Sequence, residues 1–126
     1  MQIKLNISPR GIDAPAAIVA TIRRRAAKLD RFADEVDTCQ VTIDPSPHSG
    51  HKSEMHVVRV QLGWRNGAAG DAAAPHAERD HVDLMLAIHH AFDDVLDQLR
   101  RRESARRHGS RAHTEGGHEA PEKFNV

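Results

Sequence analysis

The chain has 126 residues, with 18 basic and 18 acidic side chains, one cysteine, one tryptophan and no tyrosine. That length fits one domain with a single modest core, and the balanced charge confines any electrostatic argument to local patches. The lone cysteine excludes an internal disulfide framework and fits a reducing interior, and the scarcity of aromatic rings removes the stacking platforms of a single-strand nucleic-acid binder. No apolar run approaches the roughly 18 residues of a membrane span. The opening MQIKLNIS alternates where a signal peptide would carry a basic patch and an apolar block, so a cytoplasmic protein without membrane contact is expected.

Gln2 to Ser8 sets Ile3, Leu5 and Ile7 on one face and Gln2, Lys4, Asn6 and Ser8 on the other, the pattern of a half-buried strand. After a turn at Pro9-Arg10-Gly11, Asp13 is placed to cap a helix with Pro15 in its first turn. Ile18, Val19, Ile22, Ala26, Leu29 and Ala33 form the apolar stripe of that helix. Arg24, Lys28 and Arg31 recur on the opposite face, flanked by Arg23 and Arg25. Between Pro15 and Phe32 there are five basic residues and one acid, Asp30, the most basic folded stretch of the chain.

Thr38 to Ile43 alternates again, with Cys39, Val41 and Ile43 facing inward, and Asp44 to Gly50 reads as a hairpin loop. The next strand runs from about Glu54 to Trp64, with Val58, Val60, Leu62 and Trp64 on one side and Val57, Arg59 and Gln61 on the other. Arg65 to Ala74 is a Gly- and Ala-rich loop. A weak fourth strand over Pro75 to Arg79 would be confined by Pro75 to an edge.

Asp80 to His108 is the longest unbroken helical pattern, free of Gly and Pro until Gly109. Val82, Met85, Ile88, His89, Phe92, Val95, Leu96 and Leu99 mark its buried side, with Asp80 as cap and Asp83 in the positive first turn. Beyond Leu99 the apolar stripe stops, and Arg100, Arg101, Arg102, Arg106 and Arg107 surround a basic extension. Residues 109–126 are polar and without period, so the domain is expected to span 1–108 and a disordered polar tail 109–126.

The order strand, helix, strand, strand, weak strand, helix predicts an α+β fold with two layers, β-α-β-β-β-α. A four-stranded mixed sheet carries two helices on one face, over a core of Ile22, Leu29, Phe92, Leu96, Leu5, Val41 and Val60. Lys4, Gln40, Thr42, Arg59 and Gln61 face water on the other side.

No catalytic constellation emerges. The serines fall in turns, the basic extension or the tail, Cys39 reads as a buried structural thiol, and Gly63, Gly67 and Gly70 form no phosphate loop. His89 reads as a packing residue, and His108, His113 and His118 as solvated side chains. No enzyme, cofactor, metal or small-molecule substrate is expected.

MQIKLNISPRGID, the helix end AAKLDRF, the strand VDTCQVTI and DLMLAIHHAFDDVLDQLRR together resemble the ribosome hibernation-promoting factors, also called ribosome-associated inhibitors or sigma-factor modulation proteins. The similarity covers about Met1 to His108 and rests on Lys28-Leu29 with Phe32, and on Asp83, Ala87-Ile88 and Leu99, in order and spacing. It implies a translation inhibitor that binds the small ribosomal subunit between head and body under stress or in stationary phase. Its contact with ribosomal RNA would be carried by Arg23, Arg24, Arg25, Lys28, Arg31, Arg100, Arg101, Arg102, Arg106 and Arg107. The alternative is a diverged protein-interaction module of the same fold, in which Asp83, Asp94 and Asp97 meet a basic protein and RNA binding is lost.

The chain departs from the family pattern in three ways. Asp94 and Asp97 stand mid-helix where the family usually has Lys or Arg, and on the outward face they would repel phosphate. The loop before the last helix is longer, Ala-rich and interrupted by Pro75. The dimerisation domain that ends the long form of the family is not expected here.

Overall fold

The computed structural model describes residues 2–10, 14–45, 55–66 and 73–115. Strand β1 (Lys4–Pro9) is followed by helix α1 (Ala16–Ala27), a 3-10 turn (Lys28–Phe32), β2 (Val36–Pro45), β3 (His56–Trp64), β4 (His76–His81) and helix α2 (Leu84–Glu115). The sheet order is β1-β2-β3-β4. β1 lies parallel to β2 with Leu5 opposite Cys39 and Ile7 opposite Val41, and β2–β3 and β3–β4 are antiparallel. A strand returning parallel needs a crossover, which α1 supplies, whereas the two antiparallel pairs follow directly along the chain. The expected β-α-β-β-β-α architecture, a four-stranded mixed sheet under two helices, is the one observed.

The core lies between sheet and helices. Ile22, Ala26 and Leu29 meet Val41, Val58, Val60 and Leu62 of the sheet and Ile88, Ala91, Phe92, Val95 and Leu99 of α2. The alternation read in β2 and β3 has its physical basis here, since every second side chain points into this layer. Leu5 and Leu96, expected at its centre, are only half-buried against it. On the opposite face the Asn6 side chain donates to Gln40 at 2.7 Å and Gln40 donates to the Ser8 hydroxyl at 3.0 Å. Arg59 there spans Asp44 and Glu78 at 3.0 and 2.9 Å. Gly63 faces Thr38 where β2 bulges, and a Cβ at that glycine would come within 2.2 Å of the Thr38 hydroxyl.

Several local expectations shift. The first helix is α-helical only to Ala27, and Lys28–Phe32 tightens into 3-10 geometry. Pro15 occupies the cap position rather than the first turn, and its carbonyl accepts from Ile18 and Val19 at 3.0 and 3.1 Å. Asp13 lies outside the described residues. The weak fourth strand forms over His76–His81, two residues further on than the pattern placed it at its C-terminal end. It absorbs Asp80, which pairs with Val57 and caps nothing. The α2 cap is Asp83: its Oδ1 accepts from the Leu86 N–H at 3.3 Å and its carbonyl from Ala87 at 3.1 Å. Val82, assigned to the buried stripe, stands before the helix and is 53% exposed.

α2 continues to Glu115, through Gly109, where the pattern ends it. A single interior glycine costs a helix only ~1 kcal/mol and need not stop it. The rest of the expected loose tail, 116–126, lies outside the described residues, as do residues 46–50 of the Asp44–Gly50 loop and most of the Arg65–Ala74 loop.

Candidate nucleic-acid interface

The basic stretch of α1 and the arginines of α2 meet because the helices lie side by side. Arg25 is ion-paired to Asp93, with its guanidinium 5.9 Å from the centre of the Phe92 ring. Further along, Arg31 reaches Glu103 at 3.2 Å and lies 4.6 Å over the Phe32 ring. Residue 25 meets 93 and residue 31 meets 103, so the helices run in the same sense. Arg100 lies seven residues after Asp93 and three before Glu103, and helical periodicity turns it to the same side.

The arginines and lysine expected to contact RNA divide into two groups. Arg25, Arg31, Arg101, Arg102 and Arg106 each have a carboxylate of the same chain: Asp93, Glu103, Asp97 and, for the last two, Glu35. Arg23, Arg24, Lys28 and Arg100 are exposed and have no carboxylate partner among the described residues. Arg24 donates to the Thr21 hydroxyl at 3.1 Å, a contact that leaves its charge uncompensated. Arg23 forms one wall of a 370 Å³ cleft, with Leu5, Ile7, Pro9, Ala14 and Val19. The Arg107 side chain lies outside the described residues.

The acids also sit differently from expectation. Asp94 is not a free outward carboxylate. Arg79 on β4 clasps it through Nε at 2.6 Å and a second nitrogen at 3.0 Å, and those hydrogen bonds hold its carboxyl below the usual carboxylate range. Asp97 pairs with Arg101 one turn on, and Asp83 is engaged as the helix cap. Asp30, the one acid in the basic stretch, accepts from the backbone N–H groups of Gln2 and Ile3, both at 3.2 Å through Oδ1. It thereby ties the start of β1 to the 3-10 turn.

Sequence reasoning missed Glu35 and Trp64. Glu35 faces Arg106 and Arg102, the latter at 3.6 Å, and the Arg102 guanidinium lies 4.7 Å over the Trp64 ring. Arg65 fastens the same corner, donating to the Ala33 carbonyl at 3.0 and 3.1 Å, while its own N–H bonds the Glu35 carbonyl at 2.6 Å. No local signal points to this cluster, since Glu35 and Arg106 are 71 residues apart.

Little else competes as a site. Cys39 is 1% exposed, and burial pushes its thiol up to about 12, which suits a structural residue rather than a nucleophile. His89 is half-buried on α2. Among the described residues no group of three or more His, Cys, Asp or Glu could hold a metal ion. No described helix is long and apolar enough to cross a membrane.

The family described as sigma 54 modulation protein / S30EA ribosomal protein matches residues 5–107. The chain belongs to this family. It is the hibernation-promoting family that the sequence resembles, a group of ribosome-associated modulation proteins. No curated protein matches the chain. Among solved structures, the Protein Y N-terminal domain of Thermus thermophilus is similar, with a TM-score of 0.58 and 22% identity, over 80% of this chain and 98% of that one. A ribosomal subunit interface protein from Coxiella burnetii aligns with a TM-score of 0.63 and 11% identity, over 81% of this chain and 99% of its own. At such identities the structural likeness speaks for the fold. The family match reaches through Arg102 and Arg106 to Arg107.

Proposed function

We propose that this hibernation-family protein binds the small ribosomal subunit in the channel for messenger and transfer RNA, in the cytoplasm, and silences translation under stress or in stationary phase. The observation that carries the reading is the survival of Arg23, Arg24 and Lys28 as exposed, uncompensated cations along α1 and its 3-10 turn, with Arg100 on the adjacent side of α2. Phosphates are bound by cations whose charge is not already neutralised, and backbone contact without base readout suits a blocker of a structured RNA channel. Arg25, Arg31, Arg101, Arg102, Arg106 and Arg107 belong to the same proposed surface. In the free protein the first five each share their charge with an acid of the chain.

The protein-interaction alternative needs Asp83, Asp94 and Asp97 free for a basic partner. All three are engaged within the chain, so no observation favours it. The test is co-sedimentation with purified small subunits across a salt series. Each phosphate neutralised steepens the fall of log affinity with log salt by roughly 0.7–0.9, the values for single strands and duplex DNA. Wild type should pellet at low salt and be released steeply as salt rises, and the Arg24→Glu/Lys28→Glu variant should stay in the supernatant. Salt-insensitive pelleting, or full pelleting of the double variant, would remove this surface from consideration.

A further inference from the structure

At the corner where the basic extension of α2 meets the body, two guanidinium groups share one carboxylate. Arg102 and Arg106, one turn apart, converge on the single carboxylate of Glu35, while Arg31 and Glu103 pair alongside. Glu35 accepts a hydrogen bond from Arg106 through Oε2 but gives Arg102 only an ion-pair contact. Arg102 stays 3.6 Å away, outside hydrogen-bonding distance, and its Nε is buried with no hydrogen-bond partner. The Arg102 guanidinium also stacks over Trp64, a contact that helps fix its position without using its N–H donors. Two guanidinium groups that share one carboxylate, one of them with an unpartnered Nε, suit a phosphate, which offers more acceptor oxygens than a carboxylate and a larger charge.

We infer that Glu35 is an internal competitor for phosphate: it occupies the Arg102–Arg106 pair in the free protein and yields it to an RNA phosphate on binding. The inference rests on the RNA-binding reading above and names a regulation of that surface. In the free protein Glu35 masks the two arginines, so weak, non-specific RNA has less to hold. On a correctly shaped RNA the pair is handed over, and Glu35 is left to water. Its side chain is 21% exposed, so it reaches solvent by a rotation rather than by opening the core. The Glu35 backbone stays fixed by its carbonyl's bond to the Arg65 N–H.

The experiment compares wild type, Glu35→Gln and Asp34→Asn, binding purified small subunits across a salt series, with the fluorescence of Trp64, the chain's sole tryptophan, read in the free proteins and on titration with a protein-free RNA duplex. Asp34 is an exposed acid of the same turn, so its variant controls for the loss of one negative charge. Glu35→Gln should bind up to about tenfold more tightly near 0.1 M salt, with a similar salt slope, because both bound states make the same phosphate contacts. Asp34→Asn should change affinity much less. Trp64 emission should shift in wild type on adding the RNA duplex and be shifted already in free Glu35→Gln. Adding Arg106→Gln to Glu35→Gln should reverse most of the gain. If wild type binds while Glu35→Gln binds no tighter, or Asp34→Asn tightens equally, the competitor role is overturned and the RNA-binding reading stands. If wild type fails to bind at low salt, both fall.

Discussion

Arg79 on β4 and Asp94 on α2 form a two-bond ion pair, at 2.6 and 3.0 Å, that fastens the edge strand to the long helix. The pair explains how a strand with so weak a local signal holds its place. β4 contributes one buried apolar side chain, Ala77, and gains a second attachment from Gln98 of α2, which accepts from the His76 N–H at 3.1 Å and donates to its carbonyl at 2.7 Å. It also alters what substitutions at Asp94 should do. On sequence alone, Asp94→Lys removes a phosphate-repelling acid and tightens RNA binding. In the structure it places two cations together, so it should loosen β4 and lower stability with no gain in affinity. Urea melts and subunit pelleting of that variant, side by side, separate the two outcomes.

The same pair predicts a pH dependence. Arg79 lowers the folded-state pKa of Asp94 below its unfolded value, so the contribution is present above the unfolded pKa of about 3.9 and is lost as pH falls through the lower folded value. Asp44 behaves in the same sense, its carboxyl lowered by Arg10 first and by Arg59. Wild type should therefore lose stability on acidification below about pH 4, and Asp94→Asn, already without the pair, should lose less over the same window. Equal losses in denaturant melts at neutral pH and at pH 3 would exclude this assignment.

Core substitutions should follow burial rather than helical periodicity. Phe92 is 1% exposed and Leu96 only half-buried, although both lie on the apolar side of α2. Phe92→Ala should cost about 3–5 kcal/mol, and Leu96→Ala less than the roughly 2–5 kcal/mol of a fully buried leucine. The ranking is read from chemical denaturation midpoints.

Asp30 supports two backbone N–H groups of the β1 start. Asp30→Ala removes the acceptor that the described residues give them and should destabilise the fold by about 1 kcal/mol, the net worth of such hydrogen bonds. Faster amide exchange at Gln2 and Ile3 should accompany the loss. Unchanged exchange there would show that water replaces the carboxylate at no cost.

Cys39 should be inert in the folded protein. With its thiol buried and shifted up to about 12, reaction with an aromatic disulfide reagent at pH 8 should be negligible until denaturant is added. Prompt labelling of the native protein would contradict its burial.

The strands and helices were legible in the chain because the signals are local. Alternation in Gln2–Ser8, Thr38–Ile43 and Val57–Trp64, and the three- and four-residue recurrence from Ile18 and from Met85, record which side of each element meets the core, whatever lies opposite. Element order then implied the sheet, since the strand after α1 had to return parallel to β1. Boundaries were less legible. Asp80 and Asp83 are both competent caps, and the choice fell to Asp83 only because β3 claims Asp80 as a strand partner.

The site divides along the same line. The sequence by itself determined where the cations are: five between Pro15 and Phe32, and a second run after Leu99. Tertiary structure decided which of them keep their charge for a partner. The acids that neutralise Arg25, Arg31 and Arg106 are 68, 72 and 71 residues away in the chain. No periodicity encodes such pairs, because an ion pair depends on the distance between two charges in space, and that distance is set only when the sheet brings α1, the turn before β2 and α2 to one side of the core.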